Sequence, residues 1–486
     1  MPDFFAELHR TANRHPGSIA FTSVSGSLDY EALLQNIENI ADNASAHGLG
    51  EGHMVHVECA SPELLLLLVL GLLRAGVTVG VTREIAAYAE HGVELDAVLH
   101  DKPASRPAAL ASKRWLMLAA DWFKPARGKK SPRNKNAQYA LIVGSSGSTG
   151  RTKLICVSRS NLEYRIAGKY DDPYFGGDVR YFSTAGNTSM STLSDYLITL
   201  MKGGLIIRSN VRTGRAALDV SSLYQPSYVA MAPLTLVDVL GTLGRSPRKI
   251  RKIDYLRLTG AYCSADTRRE ALAQYAANII TSYGATEIGR VAWGDFADIG
   301  DTRGSVGTIA GEMTVETVDE NRKPLPPGTE GELRIRPPAK AVTTYASAAG
   351  EVLTDGWFYP GDLGRIDPGG RLIVTGRKST VINLGGNKIN PEVAEAVLLA
   401  APGIKDVAVA PQLSAHGYQT ICAVVASDGP VTLDAINKYL ARKNERFSVN
   451  SLKRVPSVPR GASGKIDRPA VLRIVERLSA RTDVKE

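Results

Sequence analysis

The stretch VGSSGSTGRTK, Val143 to Lys153, sets three glycines among serines and threonines and ends on a lysine. Glycines let consecutive backbone N–H groups converge on an anion, hydroxyls add donors, and an ammonium adds charge, so the composition suits phosphate. It is not a Walker loop, which needs the lysine directly after the last glycine and a helix starting there. Lys153 lies three residues beyond Gly150, and the β-like run KLICV follows it. A helix signal comes only at Ser160-Asn161-Leu162-Glu163, which has the S-x-x-E spacing of a capping box. The order is therefore strand, loop, strand, helix. For this segment alone, a Gly/Ser hairpin turn with an incidental lysine is the competing reading.

Three more clusters carry polar residues of the right types. SYGATE (Ser282 to Glu287) follows the strand-like ANIIT, FYPGDLGRID (Phe358 to Asp367) precedes GRKSTVINLGG, and GASGKIDR (Gly461 to Arg468) lies near the end. Singly they read as a strand-end turn, an Asx turn and a basic tail. In this order and spacing they resemble the acyl-adenylate-forming superfamily of acyl- and aryl-CoA synthetases, luciferases and peptide-synthetase adenylation domains. The resemblance runs from LDYEALLQ to KIDR, nearly the whole chain.

The resemblance implies activation of a carboxylic acid by ATP and Mg²⁺ to an acyl-AMP, followed by transfer to a thiol. A carboxylate and the α-phosphate repel, by roughly 4 kcal/mol per charge pair at ~4 Å and an effective dielectric of ~20. Cations and positioning must supply the catalysis. By resemblance, Ser145, Ser146, Gly147, Ser148, Thr149 and Gly150, with Lys153, hold the β- and γ-phosphates. Glu287 takes the Mg²⁺, a hard cation suited to a carboxylate, and Thr286 contacts the α-phosphate. Tyr283 lies against the adenine, with the Gly260-Ala261 backbone on its other side. Asp362 accepts from the ribose hydroxyls, with Arg377 opposite. Lys465 is the essential cation of adenylation, an ammonium on a mobile domain that reaches the reacting groups and leaves.

The family's C-terminal domain pivots at the position of Ser379, where Asp or Lys is common. Rotation then brings NLGGNK to the site, where Gly385 and Gly386 permit a pantetheine arm to approach. The acceptor implied is free CoA first, then the phosphopantetheine of a separate acyl carrier protein, since no carrier serine follows the chain. PRGASGK also has the P-x4-G-K form that some acyl-CoA synthetases present to a lysine acetyltransferase, whose action would remove the Lys465 charge.

Departures from the pattern are specific. Thr152 replaces the loop proline, Leu154 a glycine, and Arg159 a histidine. STAGNTSMSTLSDY lacks the histidine of many CoA ligases. Met190 stands where peptide synthetases place an aspartate, which disfavours an α-amino acid. Asn187, with Thr188 and Ser189, points to a small or hydroxylated acid. A degenerate homologue that binds nucleotide and regulates a partner is the alternative from another class. Retention of Lys153, Glu287, Asp362, Arg377 and Lys465 argues against it.

The elements that must position these groups alternate. AQYALIVG, ANIITSYG and GELRIRPP read as strands, and ALLQNIENIADNASAHG and TLSDYLITLMKGG have the i, i+3, i+4 spacing of helices. That favours an α/β fold with mainly parallel sheets. The expectation is a large N-terminal domain of layered sheets and helices over residues 1–376, binding ATP and acid. A small, mobile α+β domain over 377–486 follows, with the boundary near Gly376 to Thr380. In it, RLIVTGRKSTVINLGG reads as a hairpin and NPEVAEAVLLA as a helix with Asn390 as cap and Pro391 in its first turn.

Composition narrows the rest. At 486 residues, 44% hydrophobic and 22% charged, the chain reads as soluble and multidomain. Cys59, Cys156, Cys263 and Cys422 lie far apart without a CxxC pair, so reduced thiols and a cytoplasmic location are expected. MPDFFAELHRTANRHPG lacks the apolar core of a signal peptide. Leu64–Leu73 is too short to span a membrane, which takes ~20 residues, and reads as a buried helix. A net charge of +9 suits polyanions only weakly. KPARGKKSPRNK has no interleaved aromatics and reads as a solvated loop, so no nucleic acid is expected. SPRKIRK (Ser246 to Lys252) reads as a solvated helix end.

Overall fold

A computed structural model describes residues 3–482 apart from 83, 103–106, 112, 127–138, 147–151, 187, 210, 212, 246–249, 301, 347–350, 385–386, 415–418, 446 and 462–463. Two large sheets, a three-stranded sheet and a two-stranded ribbon carry the α/β fold.

The largest has thirteen strands. Its middle is parallel, running Ile19–Ser23, Leu205–Arg208, Arg180–Ser183, Tyr228–Met231, Ile253–Leu258 and Ala276–Ala285 side by side. Beyond Ala276–Ala285 the neighbours are antiparallel: Gly289–Asp295, Ser305–Ile309, Arg371–Arg377 and Asp362–Ile366. In this sheet the expectation of mainly parallel pairing therefore holds only through the middle, whereas the seven-stranded sheet keeps it in four of its six pairs. The reason is connection length. Parallel neighbours need a helical crossover, whereas the turn 286–288 is long enough only for a hairpin.

The second sheet has seven strands and includes the hairpin Tyr139–Ser146 and Thr152–Ser158, with Thr344–Tyr345 added at its edge. Its order of strand, loop, strand, helix is the one expected. The following helix, Arg159–Tyr170, starts earlier than the capping-box spacing suggested. Ser158 is its N-cap, with Oγ accepting from Asn161 N–H at 3.1 Å, and Ser160 lies inside the first turn.

The leucine run lies within the helix Pro62–Arg74, capped by Ser61, and is buried from Leu65 to Leu72. It crosses the helix Tyr30–Ala46 at Gly71, where a Cβ would fall 2.4 Å from Ile40 Cγ2. Glycine is what allows that approach. Among the described residues no helix is long and apolar enough to cross a membrane.

From Ile382 onward a separate core gathers, with Ile382, Leu398, Val407, Ile421, Val425 and Leu440 among its buried members. Around it lie the three-stranded sheet Ile404–Leu413, Gln419–Ser427 and Ser451–Arg454, and the helices Pro391–Leu399 and Leu433–Arg442. Asn390 caps the first helix as expected, its Oδ1 accepting from Glu392 N–H at 3.0 Å. RLIVTGRKSTVINLGG is not a hairpin. Arg371–Arg377 completes the largest sheet, whereas Ile382–Leu384 pairs with Asn387–Ile389 in a two-stranded ribbon. Arg371–Arg377 is paired along one edge with Ser305–Ile309 and along the other with Asp362–Ile366, so both its edges belong to that sheet.

Candidate active site

The phosphate-type loop is rooted in the hairpin that puts Ser145 opposite Lys153 and Ser146 opposite Thr152. Gly144 is required for packing, because a Cβ there would stand 2.5 Å from Thr82 Oγ1. Gly147, Ser148, Thr149 and Gly150 lie outside the described residues, as do Asn187, Gly385, Gly386 and the basic residues of 127–138 and 246–249. Thr152, the replacement for proline, is held from both sides. Its Oγ1 donates to Glu84 Oε2 at 2.5 Å and its carbonyl accepts from His91 Nε2 at 2.8 Å. Lys153 is exposed, with Nζ 5.1 Å from the centre of the Tyr345 ring.

SYGATE forms the end of Ala276–Ala285 and the turn into Gly289–Asp295. A Cβ at Gly284 would lie 2.2 Å from the Gly289 carbonyl oxygen, so the strands can close here only on glycine. The turn is pinned by its backbone. Arg165 Nη2 donates to Thr286 O at 2.7 Å, while Thr343 donates to Glu287 O from N (3.0 Å) and Oγ1 (2.9 Å). Arg165 is itself fixed by Asn161 Oδ1 at 2.6 Å. Burial lowers its guanidinium to about 10, and the Glu287 carboxylate opposes that shift. Glu287 Oε1 accepts from the Tyr345 hydroxyl at 3.4 Å, which brings Lys153, Tyr345 and Glu287 into one group. Burial and the Glu287 charge raise the Tyr345 hydroxyl to about 12.

Asp362 and Arg377 sit directly opposite each other in antiparallel strands. The Asp362 carboxylate is buried, accepts from the Tyr283 hydroxyl at Oδ2 (2.6 Å) and pairs with Arg377 Nε at Oδ1 (3.0 Å). Burial, then the Asp362 charge, push the Tyr283 hydroxyl well above its ordinary value. Gly260 and Ala261 are exposed just past the carboxyl end of Ile253–Leu258, with Gly260 at φ +91°. These groups lie where the parallel strands end, the position at which open α/β sheets bind ligands.

Three residues stand apart from this convergence. Met190 is the first residue of the helix Met190–Lys202 and is buried. Ser379 is exposed in the connection after Arg371–Arg377. Lys465 is exposed on a tight turn, where its carbonyl accepts from Gly461 N–H at 2.8 Å. Among the described residues its ammonium makes no hydrogen bond or ion pair.

Sequence reasoning missed Arg165, Thr343 and Tyr345. No local signal marks them, because each acts on the site through a contact with a distant segment. A missed feature that did carry a signal is Asp195, a carboxylate in the otherwise apolar helix TLSDYLITLM and fully buried. A buried carboxylate requires partners. Its contacts are Lys169, Arg257 and Tyr181.

No group of metal-ligating side chains large enough to hold an ion by itself occurs among the described residues. A single carboxylate at Glu287 suits Mg²⁺, which takes one or two carboxylates together with substrate phosphates.

Comparison with known proteins gives the family. The family model described as AMP-binding enzyme matches residues 8–345. The chain is 25% identical to a salicylyl-CoA synthase / salicylate adenylyltransferase of Streptomyces sp, covering 96% of this chain and 93% of the relative. It is 26% identical to a feruloyl-CoA synthase of Amycolatopsis sp, covering 96% of each. Among solved structures, O-succinylbenzoate CoA synthetase of Bacillus subtilis with ATP and magnesium superposes with a TM-score of 0.79 at 18% identity, over 95% of this chain and 98% of the other. ATP-bound MatB of Rhodopseudomonas palustris superposes with a TM-score of 0.79 at 22% identity, over 96% and 98%.

Proposed function

The chain belongs to the AMP-binding enzyme family, and on that premise we propose that it activates a carboxylic acid with ATP and passes the acyl group from an acyl-adenylate to CoA. The observation that carries the reading is the convergence of Tyr283–Asp362–Arg377 and Lys153–Tyr345–Glu287 on one turn at the strand ends.

In the first step a carboxylate oxygen of the acid attacks the α-phosphorus of ATP, and the bond to pyrophosphate breaks. Asp362 holds the ribose hydroxyls, each carboxylate oxygen having lone-pair capacity beyond its one protein partner. Tyr283 and Arg377 keep that carboxylate oriented. Lys153 and the hydroxyls of Ser145 through Thr149 hold the departing phosphates. Thr286 and Lys465 meet the charge that develops on the α-phosphate. Mg²⁺, when bound, neutralises phosphate charge, and Glu287 is the residue that holds it. In the second step a thiolate attacks the acyl carbon and AMP leaves.

The division at residues 1–376 and 377–486 belongs to this reading, with Ser379 as pivot. The separate core that begins at Ile382 supports it. Gly385 and Gly386 admit the thiol arm after rotation. CoA is the acceptor, and the phosphopantetheine of an acyl carrier protein is the alternative. Relatives named for salicylate, ferulate, indoleacetate and 4-chlorobenzoate support an aryl or acyl acid, as does Met190 in place of a carboxylate. Four free thiols support a cytoplasmic location. Exposure of Lys465 supports its modification by a lysine acetyltransferase.

Acid-dependent ATP–pyrophosphate exchange across a panel of carboxylic acids tests the reading. Exchange that proceeds to a CoA thioester supports it in full. Exchange without thioester formation transfers the acceptor role to a carrier protein. Absence of exchange with every acid would leave only nucleotide binding.

A further inference from the structure

A buried charge cluster lies beneath the crevice, outside the groups used above. Asp195 Oδ1 accepts from Lys169 Nζ at 2.9 Å and Arg257 Nη1 at 3.3 Å, and Oδ2 accepts from the Tyr181 hydroxyl at 2.9 Å and from Arg257 Nη2. Beside it Arg290 Nη1 pairs with Asp172 Oδ2 at 2.5 Å. Three cations, Lys169, Arg257 and Arg290, stand against two carboxylates, Asp195 and Asp172, which leaves one positive charge in excess. Two donors are also left over. Among the described residues, Arg257 Nε and the Tyr228 hydroxyl are buried without a hydrogen-bond partner. An interior of this kind loses stability unless an acceptor, ideally an anion, completes it.

The cluster faces the acid side of the site. Ser183, Ala230, Arg257 and Ile280 are register neighbours in parallel strands, so their side chains leave the same face of the sheet. Two residues on from Ile280, that face carries Ser282, next to Tyr283. Arg165, which holds the Thr286 carbonyl, and Lys169 are one turn apart on the helix Arg159–Tyr170, about 6 Å along its axis. Ser194, whose Oγ lies 3.4 Å from Lys169 Nζ, is one turn beyond Met190. Arg290 is paired directly across from Gly284. Small side chains lie beside these cations: Ser183 and Ala230 across the sheet, and Ser194 against Lys169.

We propose that this cluster is the far end of the acid-binding pocket and selects acids that carry a second anionic group, with Lys169 and the Tyr228 hydroxyl as the recognising donors. The inference rests on the acid-activating reading above.

The test is acid-dependent ATP–pyrophosphate exchange with matched pairs, benzoate against terephthalate and hexanoate against adipate. It is run on the full-length wild type, Lys169→Met and Tyr228→Phe, with melting curves to confirm folding. The quantity read is the ratio of kcat/KM for the dianionic acid over its monoanionic partner. The wild type should prefer the dianion by about tenfold or more, the effect of one charge-assisted hydrogen bond. Lys169→Met should lower the ratio about tenfold, and Tyr228→Phe about threefold. Tyr228→Phe removes only an oxygen that lacks a partner, so it should fold and melt like the wild type, and it decides the matter if Lys169→Met does not fold. A wild type that exchanges with monoanionic acids at an equal or higher rate, or a ratio unmoved in the folded variants, overturns the proposal and leaves the acid-activating reading intact. No exchange with any acid overturns that reading itself, and the proposal with it.

Discussion

The Tyr283 hydroxyl donates to Asp362 Oδ2 at 2.6 Å, so the aromatic residue of SYGATE and the carboxylate of PGDLG form one unit. Removing either should weaken nucleotide binding, and unequally. Asp362→Asn deletes a buried anion that pairs with Arg377 and is proposed to hold the ribose, and should raise the Kd for ATP about 10- to 100-fold. Tyr283→Phe keeps the ring and loses one hydrogen bond, so about threefold to tenfold is expected. Calorimetric titration with ATP measures both, and an unchanged Kd in Asp362→Asn would remove the ribose assignment.

Lys465 stands on an exposed turn without a polar partner among the described residues, as suits a cation that must move. Lys465→Ala should cut acid-dependent ATP–pyrophosphate exchange by about 10² to 10³, equivalent to roughly 3–4 kcal/mol. Thioester formation from acyl-adenylate supplied ready-made should stay within a few-fold of wild type. Unchanged exchange would exclude Lys465 from adenylation.

Two ion pairs cross from the helix Leu433–Arg442 and its following turn to the body of the protein. Lys443 Nζ meets Asp266 Oδ2 at 2.5 Å, and Arg303 Nη1 meets Glu445 Oε2 at 3.1 Å. Both are partly exposed, so each contributes under ~1 kcal/mol and is screened by salt. The double variant Asp266→Ala/Glu445→Ala should therefore speed tryptic cleavage at Arg377–Lys378, beside Ser379, by about two- to fivefold. Raising the ionic strength to about 0.5 M should do the same in the wild type. Cleavage rates indifferent to both would show that these pairs do not hold the C-terminal unit.

His56 makes stability depend on pH. Burial lowers its pKa to about 4, against the ordinary value of 6.5, with a smaller opposing effect from a hydrogen bond to the Gly80 backbone. Between those values the unfolded chain binds the proton and the folded one does not, so stability rises with pH through that window and is lost as pH falls. The loss should approach roughly 3 kcal/mol near pH 4. His56→Gln should flatten this part of a urea-unfolding series from pH 7 to 4, though its neutral stability will be lower. An equally steep decline in the variant would assign the effect to other groups.

Much of the site could be read before any coordinates. The strand-loop-strand-helix order around Lys153 and the turn at Thr286-Glu287 depend on residues within a few positions of one another. So does the Asn390 cap, confirmed by its bond to Glu392 N–H. Where reading failed, the competing signal lay outside the window. Ser160 offered a good capping spacing, but Ser158 took the cap because the strand Thr152–Ser158 ends there. RLIVTGRKSTVINLGG looked like one hairpin because both halves are β-like, yet its first half is claimed by Ser305–Ile309 and Asp362–Ile366.

By itself the sequence determined which residue types were present and in what order: a Gly/Ser/Thr loop ending in a lysine, a turn with a carboxylate, an aspartate ahead of the GRK turn, and a late lysine. Those are matters of residue type and local turn geometry. Only the tertiary structure decided that Tyr345 meets Glu287, that Tyr283 meets Asp362, and that Lys169, Arg257 and Asp195 share one buried site. Each contact joins segments remote in the chain, and pays its loop-closure entropy only because whole sheets pack around it. No short stretch of residues can encode that choice.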